Sequence, residues 1–152
     1  MDANALNELV EGILSIFRTQ VIRIVLYGSY ARGTNTSESD VDIALLLDGN
    51  LDKSTEDKLS DLIVDLNLKY DKVFSVIDIN YEVFQKWEKV TPFYKNMNKD
   101  GIVLWKAAWL IYQNTGLSGF YYHIKGSGYG TDGKGTKGAW DARTLEQSMK
   151  RD

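Results

Sequence analysis

Apolar residues recur every three to four positions over residues 3–19, at Leu6, Leu9, Val10, Ile13 and Phe17, and predict an amphipathic helix. The pattern then changes. The stretch VIRIVLYG, residues 21–28, is short and β-branched and predicts a strand ending at Gly28. A second strand follows in VDIALLL, residues 41–47, closed by the turn signal Asp48-Gly49-Asn50. Residues 54–70 predict a second helix, with Ser54 as its N-cap and Leu59, Leu62, Ile63 and Leu66 on its apolar face. KVFSVIDI, residues 72–79, predicts a third strand. Two short helices follow over 81–90 and 92–101, the second opened by Pro92, whose fixed φ suits a first helical position. IVLW, residues 102–105, reads as a fourth strand or as the start of another helix. The order α-β-β-α-β-α-α is not a regular βαβα series. It predicts an α+β domain, a small mixed β-sheet flanked by helices, and shows no internal repeat.

Beyond about residue 106 the texture changes. Six of the 13 glycines fall between Gly126 and Gly138. Residues 1–106 carry 12 Lys+Arg and 17 Asp+Glu, a net of −5, whereas residues 107–152 carry 6 and 4, a net of +2. The chain is therefore divided into a domain over 1–106 and a Gly/aromatic-rich C-terminal extension over 107–152. The extension is read either as a partly disordered linker or as read-through sequence not native to the domain. Its GxGxxG-like spacings are not read as a nucleotide loop, for no strand is predicted before them and no apolar helix after. The stretch LIYQNTGLSGFYYHIK would expose much apolar surface if disordered, so it is expected to dock on the domain or on a partner.

Composition removes several function classes. A net charge of −3 provides no global basic field, so direct nucleic-acid binding is not expected. The absence of cysteine excludes disulfides, cysteine nucleophiles and thiolate metal sites. A single histidine, His123, argues against a His-based triad or His-rich zinc site, and is read as a tail residue without a catalytic role. The N-terminus shows no basic region followed by an apolar run, and no apolar stretch approaches the roughly 18 residues of a membrane span. The expectation is a soluble cytoplasmic protein without membrane contact.

The chemistry lies in LYGSYARGTNTSESDVDIALLL, residues 26–47. Residues i and i+2 of a strand point the same way, so Asp40 and Asp42 project side by side. Two carboxylates so placed repel each other and resist desolvation, and a divalent cation relieves both costs. Magnesium takes carboxylate oxygens and keeps positions open for phosphate. A bare Asp-x-Asp could equally sit at a solvated strand start and bind nothing. Here Gly28-Ser29 precedes it by twelve residues, where the first strand ends. Glycine lets a backbone approach a ligand, and serine supplies a hydroxyl and an amide. If residues 30–33 begin a helical turn, their free N–H groups favour an anion.

Gly28-Ser29, ten residues, then Asp40-Val41-Asp42 resembles the signature of the DNA polymerase β-like nucleotidyltransferase superfamily. The fuller stretch, with Arg32-Gly33 and Ser39, is similar to its minimal nucleotidyltransferases, the MNT family. The resemblance covers about residues 1–106 and implies a polymerase β palm-like fold. It implies a third carboxylate on a later strand, which Asp78 fits. Asp78 could instead cap the next helix, while Asp71 reads as a turn residue. By the resemblance, Asp40, Asp42 and Asp78 would hold two Mg²⁺ ions, with Asp78 also able to take the acceptor's proton. Gly28 and Ser29 would grip the β- and γ-phosphates of ATP. Arg32 would neutralise phosphate charge, unless it is a solvated arginine or pairs with Glu38. Ser39 completes the motif.

Larger relatives recognise their acceptors through extra domains, and none is visible here. The resemblance therefore implies an acceptor on another protein. In the MNT family that partner is a HEPN-type RNase toxin, which the MNT member silences as an antitoxin by transferring AMP to a tyrosine hydroxyl. Two other readings stay open. One is a small-molecule, aminoglycoside-type acceptor, and the other is a non-catalytic antitoxin that inhibits by binding. Trp87, Phe93, Tyr94 and Trp105 could offer a base-stacking surface, but their spacing predicts core packing of short helices.

Overall fold

The computed structural model describes residues 2–107 and, in the C-terminal part, residues 122–124, 130–131 and 137–138. The chain divides into two compact units, Met1–Val103 and Leu104–Asp152.

In the first unit, α1 (Ala3–Phe17) is capped by Asp2, whose side chain accepts the Asn4 amide at 2.8 Å. It buries Leu9, Val10, Ile13 and Phe17, the spacing foreseen. A 3₁₀ turn leads into β1 (Val21–Tyr27), then α2 (Gly28–Arg32), β2 (Val41–Leu47), α3 (Lys53–Tyr70) and β3 (Phe74–Asn80). α4 (Tyr81–Trp87), α5 (Pro92–Asp100) and β4 (Ile102–Ala107) follow, so the ambiguous fourth segment is a strand. Helix α3 starts one residue earlier than expected. Its N-cap is Asp52, not Ser54, because the Asp52 carboxylate accepts the Thr55 amide at 2.8 Å, as well as the Thr55 hydroxyl. Asn80, not Asp78, caps α4, accepting the amides of Glu82 at 3.0 Å and Val83 at 3.2 Å.

Strands β3, β2 and β1 are neighbours in that order. β1 and β2 are antiparallel, while β2 and β3 are parallel, joined through α3. The sheet is therefore mixed and flanked by helices, as expected for α+β. Parallel pairing needs a crossover connection, and α3 supplies it.

Both faces are covered, so β2 is almost continuously buried from Val41 to Leu47. On one face Val25, Ala44, Leu46 and Ile79 pack with Phe84 of α4 and Met97 of α5. The other face of β2 presents Val41, Ile43, Leu45 and Leu47, on the side of α1 and α3. Those two helices approach closely at Gly12, where a Cβ would sit 2.7 Å from the Leu62 methyl groups. Glu8 Oε1 accepts from both Lys69 Nζ and the Tyr70 hydroxyl at 2.7 Å, tying α1 to the end of α3. These bonds, Lys69's first, hold the Glu8 carboxyl below its ordinary range.

The aromatic expectation is only partly met. Tyr94 is half-buried against Phe84, with ring centroids 5.2 Å apart, but Trp87 and Phe93 lie on the surface, 45% and 40% exposed. In the second unit β4 pairs antiparallel with β5 (Tyr122–Ile124), and β6 (Gly130–Thr131) pairs with β7 (Lys137–Gly138). A short strand thus does precede the glycine-rich stretch, against expectation. The remainder of the extension, and with it the reading of that segment as disordered or foreign, lies outside the described residues, as does the His123 side chain. Among the described residues no helix is long and apolar enough to cross a membrane.

Candidate active site

β1 and β2 end and begin at the same edge of the sheet, and the intervening turn builds the site. Tyr27, the last residue of β1, is paired with Asp42 of β2. Gly28 then turns the chain with φ +74°, a left-handed backbone that strains any L side chain. The space is also closed. A Cβ at Gly28 would stand 3.2 Å from Asp42 Cγ and run into Asp42 Oδ2. Glycine is required here twice, once by its dihedral and once by the carboxylate beside it.

The single turn of α2 presents Ser29 and Tyr30 at its start, where the first N–H groups of a helix have no intrahelical acceptor. It ends at Gly33, whose N–H donates to the Ser29 carbonyl, as does that of Thr34 at 3.0 Å. Residues 34–40 return the chain to β2 through a tight turn. The Ser39 N–H donates to the Thr36 carbonyl at 3.2 Å, and the Thr36 N–H donates to Ser39 Oγ at 2.8 Å. The Ser39 hydroxyl is therefore engaged in shaping the loop that delivers Asp40. Lys72, from the turn before β3, donates to the Ser37 carbonyl at 3.1 Å and lies 6.0 Å from the centre of the Tyr30 ring. It clamps the same loop from the other side.

Electrostatics mark Asp42 as the strained member. Its carboxyl is pushed above the ordinary carboxylate range, first by burial and then by the charge of Asp40, with Arg32 opposing. The Tyr27 phenol is raised as well, by burial and then by Asp42. Asp40 is exposed and Asp42 half-buried. Among the described residues no ion pair within 4.0 Å joins Arg32 to either aspartate or to Glu38. Two carboxylates near enough to perturb each other, one of them beside the Gly28 turn and neither in an ion pair within 4.0 Å among the described residues, fit a divalent ion that also takes phosphate oxygens.

Gly28, Ser29, Arg32, Ser39, Asp40 and Asp42 all lie on the turn between β1 and the start of β2, with Ser39 spent on the loop. Asp78 does not. Residues paired across a parallel ladder point to one side of the sheet, and Asp42 is paired with Ser75. Asp78 is paired with Leu45, three positions further along, so it projects from the opposite face, about 10 Å away along the strand. It is exposed to solvent rather than set among apolar side chains, so nothing in its surroundings demands a metal. Asp71 is the left-handed C-cap of α3, a turn residue as read.

Sequence reasoning missed two neighbours. Tyr27 packs edge-to-face on Phe93, centroids 5.4 Å apart, and closes the site beside Asp42. Its place directly before Gly28 was the available signal. Lys72 carried none, because the contact spans 35 positions.

Known proteins resemble this chain. Residues 6–103 match the nucleotidyltransferase domain family. A Methanocaldococcus jannaschii protein named "Putative protein adenylyltransferase MJ0604" is 37% identical over 105 residues, covering 68% of this chain and 98% of that protein. Among solved structures, a toxin–antitoxin crystallised with AMP-PNP has a TM-score of 0.46 at 23% identity, covering 66% of this chain and 73% of that one. A Shewanella oneidensis complex of tri-AMPylated HEPN toxin with MNT antitoxin has a TM-score of 0.46 at 19% identity, covering 74% and 79%. The domain match spans well over half of the chain, and with the archaeal relative it decides the assignment: this protein belongs to the nucleotidyltransferase domain family.

Proposed function

We propose that this nucleotidyltransferase moves AMP from ATP onto a protein hydroxyl, a tyrosine of a HEPN-type RNase toxin, and so acts as an antitoxin. The observation that carries the chemistry is the placement of Asp40 and Asp42 against the Gly28-Ser29 turn. The protein acceptor is supported by the name of the archaeal relative, which is matched over 98% of its length. The toxin partner and its tyrosine rest on the resemblance of residues 26–47 to minimal nucleotidyltransferases.

Asp40 and Asp42 would hold Mg²⁺, which when bound neutralises triphosphate charge and leaves the α-phosphorus open to attack. The amides and hydroxyl at Ser29 would grip the β- and γ-phosphates. Arg32, exposed at the end of α2, would add positive charge beside them. The acceptor oxygen bonds to the α-phosphorus, the bridging bond to the β-phosphate breaks, and pyrophosphate leaves. The acceptor's proton passes to solvent. The chain's contribution is positioning and charge stabilisation. ATP is the expected donor and the cytoplasm the expected compartment.

One observation favours a second reading. Asp78 does not join the dyad, so inhibition of the partner by binding alone gains ground. Intact mass of the HEPN-type partner, co-expressed with this chain or with its Asp40→Asn/Asp42→Asn variant, separates the two. A gain of one or more AMP units with the parent chain only is expected. A neutralised partner of unchanged mass would replace transfer with occlusion.

A further inference from the structure

We infer that this site takes one divalent cation, on Asp40 and Asp42, and has no place for a second, because Ser75 occupies the position on β3 where another carboxylate would have to stand. The inference rests on the nucleotide-transfer reading above and narrows its metal requirement from two ions to one.

The ladder fixes which side chains can reach a cation beside Asp42. On one side Asp42 is paired with Tyr27, and on the other with Ser75. Both offer neutral oxygens. Two positions further along the same face come Ala44 and Ile77, which belong to the apolar core. In the other direction Val73, whose carbonyl accepts the Val41 amide at 2.8 Å, carries no ligand atom in its side chain. The acid that β3 does possess, Asp78, faces away. Among the described residues no group of three His, Cys, Asp or Glu side chains is close enough to hold a metal.

Charge and coordination then set the count. A hard divalent ion is satisfied by one or two carboxylates, phosphate oxygens and water. The dyad and a triphosphate complete one such shell. A second ion would have to share the same two carboxylates, about 4 Å from the first, with only the neutral oxygens of Tyr27 and Ser75 as further side-chain ligands from the ladder. Ser75 is half-buried beside Asp42, so an acid placed there would supply the missing ligand.

The test is native mass spectrometry of the full chain with Mn²⁺ and a non-hydrolysable ATP analogue, using Asp40→Asn/Asp42→Asn as the baseline for adventitious ions. The parent is expected to carry one nucleotide and one Mn²⁺. Ser75→Asp is expected to carry one nucleotide and two Mn²⁺, with Ser75→Glu as a second variant should the first not fold. Two ions on the parent, with one nucleotide, would overturn the inference while leaving the transfer reading standing. Neither nucleotide nor ion above the baseline would overturn the transfer reading itself, and the inference with it.

Discussion

Gly28→Ala should damage the fold and the site together, and the two losses are separable. The backbone at Gly28 has φ +74°, and forcing alanine into the left-handed region costs about 1–2 kcal/mol. The new methyl would also collide with Asp42 Oδ2 and stand 3.2 Å from its Cγ. Asp42 must then leave its rotamer, at a further cost of about 0.5–1.5 kcal/mol. The sum is about 1.5–3.5 kcal/mol. For a unit of this size each kcal/mol lowers the melting midpoint by about 4–8 °C, so a fall of roughly 6–28 °C is expected. Gly49→Ala is the matched control. Gly49 has φ +82° and open space around its virtual Cβ, so it should pay only the backbone cost. The two variants should therefore differ by about 1 kcal/mol in denaturant unfolding, and far more in function. A shift of the Asp42 carboxylate by about 1 Å would cost on the order of 10²-fold in transfer rate. It would also abolish the rise in melting midpoint that Mg·ATP gives a chain that binds it. Gly49→Ala should keep both. If Gly28→Ala melts with Gly49→Ala and retains its Mg·ATP shift, the closeness of Gly28 to Asp42 is not what shapes the site.

Asp42→Asn should melt higher than the parent at neutral pH without divalent cations. Because burial and Asp40 raise the Asp42 carboxyl, its charged form subtracts stability above that raised value and the penalty fades as pH falls through it. The advantage of the variant should thus shrink toward the ordinary carboxylate value of about 3.9 in melts recorded in a chelator; a variant less stable than the parent at neutral pH would contradict the assignment. Asn80→Ala should cost about 1 kcal/mol in denaturant unfolding, since Asn80 caps α4 through two amides, while leaving nucleotide binding intact. Phe84→Ala, at a fully buried position between the sheet and α5, should cost about 3–5 kcal/mol; a loss below 1 kcal/mol in the same measurement would mean that α4 is not part of the core.

The parts of the fold that were legible in the sequence are those set by neighbours in the chain. α1 announced itself by Leu9, Val10, Ile13 and Phe17, all buried as spaced. The turn into α2 was legible because Gly28 breaks an apolar run, and Pro92 marked the first residue of α5. Errors arose where two local signals competed. Ser54 and Asp52 are both good caps, and the choice depended on which reached a free amide; Asp52 reaches Thr55. Trp87 and Phe93 looked like core residues because large aromatics usually are. Yet the two helices that carry them bury Phe84 and Met97, and those suffice to fill the sheet face.

The aspartates show most clearly where sequence reading stops. Asp42 is the second residue of β2 and Asp40 ends the loop just before it, so two positions along the chain suffice to keep the Asp40 charge close enough to raise the Asp42 carboxyl. Asp42 and Asp78 lie on different strands, and their relation depends on register. A slip of one residue between β2 and β3 would exchange the two faces of β3. Between the two strands run α3 and the left-handed Asp71 that ends it, and β3 then buries Phe74 and Ile79. The observed ladder puts Ile79 on the Asp42 face, against Phe84 and Met97, and the alternation of the strand then forces Asp78 to the other face. Bringing Asp78 to the dyad's face would turn Ile77 and Ile79 away from the α4–α5 core. It would also leave Asp78 opposite Ala44 or Leu46, about 7 or 13 Å from Asp42 along the strand. Core packing and a third carboxylate at position 78 are therefore incompatible in this chain, which is why the dyad has Ser75 as its neighbour on β3.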